Sequence, residues 1–140
     1  MGQIGEAARL SDPQCFSKSG PSADIAQQAT PCFLVTVDTE EEFDWSASFS
    51  RDRHGLTHLK AIEPFQKLCE RNGVKPVYLL DYPVAQDGFG AELFADWVRS
   101  NVAEVGLQLH PWVTPPFDEE VNVHNSYACN LAPELERGKL

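Results

Sequence analysis

Three apolar runs in this chain stop at residues able to do chemistry: "CFLVTV" at Asp38, "VKPVYLL" at Asp81 and "EVGLQL" at His110. Carboxylates beside an imidazole can hold a divalent transition ion through O and N ligands, or move protons. If the chain stays extended past Asp38, residues two apart point the same way, so Asp38 and Glu40 face one pocket. Glu40 and His110 then read as metal ligands, with His124 in "NVHNSY" as a further ligand and zinc as the expected ion. Asp38, deeper at the end of its run, reads as the general base toward a metal-held water. Glu41 and Glu42, which complete the acidic run, read as a solvated turn.

Asp81, Trp45 and Trp112 are the candidate substrate contacts. Asp81 either joins the same rim or caps the turn at "DYP". The two tryptophans either line a cleft suited to a sugar or pack as ordinary aromatic residues. His54 and His58, beside Arg51 and Arg53, read as a surface helix entry.

The elements that must position these residues follow from pattern. The three apolar runs have the form of strands buried on both faces. Between the first two, "PFQKLCERNG" reads as a helix opened by Pro64 and stopped by Gly73, with Phe65, Leu68 and Cys69 on one face. Between the second and third, "FGAELFADWVRSN" reads as an amphipathic helix with Leu93, Phe94, Trp97 and Val98 inward. The prolines of "PWVTPP" forbid helix and central strand and imply an ordered loop. The order β-α-β-α-β implies an α/β fold with parallel strands, whose C-terminal ends share one rim, where such folds build their sites.

Residues 1–30, rich in Ser, Gln, Ala, Pro and Gly, read as a flexible tail, and the domain as residues 31–140. The net charge of -10 and pI near 4.7 argue against nucleic acid and anionic membranes as partners. No run is long enough to span a bilayer, and the first residues lack the regions of a signal peptide. Cys15, Cys32, Cys69 and Cys129 are scattered, which fits reduced thiols in a cytoplasmic protein.

Taken in order, "VTVDTEEEFDW", "PFQKLCERNGVKPVYLLDYPV" and "EVGLQLHPWVTPP" resemble the first half of a polysaccharide deacetylase, the NodB-homology family. The resemblance implies part of a distorted (β/α) barrel and a metal-dependent hydrolase that removes N-acetyl groups from amino sugars, with an N-acetylated saccharide as substrate. It places Asp38 as the general base and Glu40 and His110 as metal ligands. The family's usual second motif carries another histidine four residues on, where this chain has Thr114, so the second ligand comes from elsewhere, such as His124, or is absent. The family's later motifs supply an arginine, an apolar wall and a histidine acid. None is found here, which implies a truncated domain without turnover of its own. Two other readings stand beside this one: a non-catalytic half-barrel that self-associates through its open sheet edge, and an allantoinase-like cyclic-amide hydrolase.

Overall fold

Pro64 and Gly73 bracket the first regular helix as their chemistry requires. A computed structural model describes residues 32–140; the tail expected over residues 1–30, and Cys15 within it, lie outside the described residues. Helix α1 spans Glu63–Arg71 and carries Pro64 in its first turn, where the missing N–H costs nothing. Gly73 adopts φ 65°. Its N–H donates to Glu70 O at 3.1 Å, and that of Val74 to Cys69 O at 2.9 Å, closing the helix in the left-handed form that glycine adopts without penalty. A short 3-10 turn over Thr57–Ala61 leads into it.

The chain is an α/β protein. Strands β1 (Thr36–Thr39), β2 (Val77–Leu80) and β3 (Glu104–Leu107) form one parallel sheet in the order β1-β2-β3. The register sets Val37 opposite Tyr78 and Tyr78 opposite Val105, so the three strands end level with one another. Helix α2 (Tyr82–Gln86) and helix α3 (Gly88–Arg99) connect β2 to β3, and helix α4 (Pro133–Lys139) closes the described chain. None of these helices is long and apolar enough to cross a membrane.

The sheet is covered on one face only among the described residues, rather than on both. Val37, Tyr78 and Leu80 turn toward a core of Leu59, Val84, Phe94 and Ala103, with Ile62 and Trp97 packed against it. Phe33, Leu34, Thr36 and Asp38 stay exposed. On the other face Asp38, Leu79 and Gly106 form one row across the three strands. A Cβ on Gly106 would meet Leu79 Cδ2 at 2.7 Å, so any side chain there would displace the end of Leu79.

Three local expectations change. In α1 Phe65 and Leu68 are exposed, whereas Gln66 and Cys69 are buried. Gln66 can go inward because every polar atom is used. Its amide donates to Val102 O at 3.1 Å and to Glu70 Oε1 at 2.9 Å, and its oxygen accepts from Tyr78 Oη at 2.9 Å. In α3 Phe94 is buried but Val98 is exposed, since it lies off the face that meets the sheet. The loop after β3 does contain a helical turn, of the 3-10 form over Pro111–Val113. It begins on Pro111, where a proline without an N–H is harmless.

Tyr78→Phe leaves the Gln66 oxygen buried without its donor. It is expected to cost about 1–3 kcal/mol in urea unfolding, and a loss within error of zero would show that the buried pair contributes nothing net.

Candidate metal centre

The site is assembled by backbone before side chains. Asp81 follows β2 and starts α2. Its Oδ1 accepts from the Val84 N–H at 3.0 Å, as an N-cap does. Its Oδ2 accepts from the Glu41 N–H at 2.7 Å. One fully buried carboxylate therefore ties the residues just beyond β1 to the helix that leaves β2.

Period-two alternation then decides which acid goes inward. Val37, Thr39 and Glu41 share a side, and both Thr39 and Glu41 are buried. Glu41 Oε2 accepts a hydrogen bond from His110 Nδ1 at 2.8 Å, while Glu41 Oε1 is buried with no partner. Glu40 leaves the strand on the opposite side. Its Oε2 lies 3.3 Å from His110 Nε2 and accepts from the Gln108 amide. The imidazole is thus gripped at both nitrogens. Trp112 stacks on its face, with centroids 4.5 Å apart and planes 19° apart.

Glu41, Asp81 and His110 each offer one ligand atom, all within 4.8 Å of one another. The group can hold a metal ion. The donor set of two carboxylates and one imidazole suits a divalent ion, and the unpartnered Glu41 oxygen is what a cation would satisfy.

Without such an ion, protons must relieve the crowding of acids. Burial pushes the Asp81 carboxyl up, to about 7, and the neighbouring Glu41 carboxylate adds to the rise. Burial also works against charge on Glu41, but the hydrogen bond from His110, with the nearness of Asp81, outweighs it and holds its carboxyl below the ordinary range. At His110 burial opposes the cation, yet the Glu41 hydrogen bond and the charges of Glu41, Glu40 and Asp81 leave the imidazole pKa raised.

The residues expected from sequence are distributed as follows. Asp81 and His110 come together with Glu41, while Glu40, expected as a metal ligand, stands outside that group and lies beside His110. Asp38 is exposed on the uncovered sheet face, one row below the rim. His124 lies outside the group, exposed, with its carbonyl accepting from the Asn130 amide at 2.8 Å. Trp112 is buried against His110, while Trp45 is 67% exposed and meets Phe43 edge-on at 5.2 Å. Glu41, expected in a solvated turn, is instead the most enclosed acid of the run. Counting the alternation from Val37 would have found it. Glu42 does stay exposed, accepting from the Thr57 hydroxyl at 2.6 Å and the His58 N–H at 2.9 Å. Gln108, which orients Glu40, carries no sequence signal beyond its parity with His110.

No family model, curated protein or solved structure matches the chain. The likeness to polysaccharide deacetylases therefore rests on the three motifs alone.

The titrations fix a sign for pH dependence. Folded Asp81 keeps a proton that an unfolded aspartate releases near about 3.9, so folding loses stability as pH rises toward about 7. The raised His110 acts in the same direction, its contribution lost as pH rises through its folded pKa. Melting of the chelator-treated chain is expected at lower temperature as pH goes from about 5 to about 8. Asp81→Asn should flatten that fall, and an equal slope in both proteins would refute the buried, protonated Asp81.

Proposed function

We propose that this chain carries the first part of a metal-assisted hydrolase centre of the polysaccharide-deacetylase type, on part of a distorted (β/α) barrel, acting on N-acetylated amino sugars. The observation that supports it most is the convergence of Glu41, Asp81 and His110 beyond the C-terminal ends of three parallel strands, where such folds place catalysis. The ordered motifs of the sequence give the substrate class.

In this reading Glu41, Asp81 and His110 hold the ion, zinc being expected as a borderline ion that accepts mixed oxygen and nitrogen donors, and Glu40 steadies the imidazole from its other nitrogen. The bound ion supplies an electrophile for the amide carbonyl and a water of lowered pKa. Asp38, exposed on the sheet face below the rim, takes the proton of the attacking water. Trp112 excludes water from one face of His110, and exposed Trp45 is available to a sugar ring.

Zinc titration, followed by equilibrium binding of an N-acetylated sugar oligomer to the zinc-loaded chain, tests the assignment, since this part of the centre is expected to bind without turnover. One zinc per chain is expected, lost in Glu41→Gln and His110→Ala. Asp38→Asn should keep the zinc, as a base that is not a ligand does. Failure to take up zinc would overturn the metal-assisted reading, and zinc uptake with no binding of the oligomer would overturn the substrate class.

A second reading, association of two copies, is favoured by the exposed apolar residues on edge strand β3 and before β1: Val105 and Leu107, and Phe33 and Leu34. A dimer in size-exclusion chromatography that Leu107→Asp converts to monomer supports this; a monomer at all concentrations removes it.

A further inference from the structure

The centre leaves one buried charge unaccounted for, the ammonium of Lys139 in α4. Its side chain has no solvent exposure. Nζ donates to the carbonyl oxygens of Pro111 at 3.0 Å, Pro116 at 2.7 Å and Thr114, and to Glu119 Oε1 at 3.1 Å. All four acceptors belong to the segment 111–119, which follows His110 directly. Desolvating an ammonium is costly, and an apolar side chain of similar volume would fill the space at no such cost. A lysine whose N–H bonds converge on three carbonyls fixes where those carbonyls are.

What is fixed bears on the site. Pro111 is the residue after His110, and the Pro111–Val113 turn sets Trp112 flat against the imidazole. Other contacts hold the same segment down. Arg51 donates to Glu119 O at 2.7 Å and lies 4.8 Å over the Phe117 ring. Gly138 of α4 lies beside Pro116, where a Cβ would make an ordinary contact at 3.6 Å with its Cγ.

We propose that Lys139 is a positioning residue for His110: its ammonium gathers the carbonyls of Pro111, Thr114 and Pro116 so that Trp112 stacks on the imidazole and holds it toward Glu41. The inference rests on the metal-centre reading only for what the positioned imidazole does.

The test uses the full chain, with cobalt(II) alone as the ion and the Trp112 indole N–H followed by NMR in its absence. Lys139→Met keeps the length and removes the charge. It is expected to move the Trp112 resonance and to weaken cobalt binding about tenfold or more. Lys139→Arg keeps the charge but spreads its donors over a planar fork that cannot meet three convergent carbonyls. It is expected to show the same two changes in smaller degree, and it decides the matter if Lys139→Met does not fold. A folded variant with either signal unchanged overturns the proposal. If the unaltered chain takes up no cobalt, the metal reading falls, and the Trp112 resonance alone then decides whether Lys139 sets the stack.

Discussion

Everything near the site depends on one imidazole held at both nitrogens by two consecutive carboxylates just past the end of β1. Consecutive residues of an extended segment suit that arrangement, because successive side chains diverge. Glu40 and Glu41 are therefore not interchangeable members of an acidic run. Glu41 enters the interior, where its charge requires a donor, and Glu40 stays at the margin, where Gln108 and His110 share it.

The enclosure has a cost that the backbone helps to offset. Asp81 gives both carboxylate oxygens to main-chain N–H groups, one from the start of α2 and one from beyond β1. It binds two strand ends together while serving as a helix cap. The crowding of three acids around His110 then demands positive charge, met by protons on Asp81 and His110 or by a cation. Protons and any ion that this group could hold would compete for the same oxygen and nitrogen atoms.

Much of the scaffold was legible in the residues. Apolar runs broken by Asp81 and His110 located β2 and β3, and Pro64 and Gly73 bounded α1, whereas β1 lies later than the run "CFLVTV", over Thr36–Thr39, with Asp38 inside it rather than at its end. The acid run was harder. Three glutamates in succession look solvated, and only parity counted from Val37 separates Glu41 from its neighbours. Helix α2 escaped because Pro83 reads as a turn, although the Asp81 cap makes it a helix start. Covering of both sheet faces was over-read, since an unbroken apolar run does not say which neighbours are present. Lys139 was invisible for a different reason: its partners are 20 to 28 residues away in sequence, and no local pattern encodes such a contact.

The row formed by Asp38, Leu79 and Gly106 carries a further implication. A Cβ at position 106 would press on the end of the Leu79 side chain, and Leu79 is the residue paired with Asp38. Bulk added on β3 would therefore be handed across the sheet as a rearrangement of Leu79, from a residue that has no charge and no direct contact with the acid. The row has a mechanical link between its outer members that its polar groups do not provide.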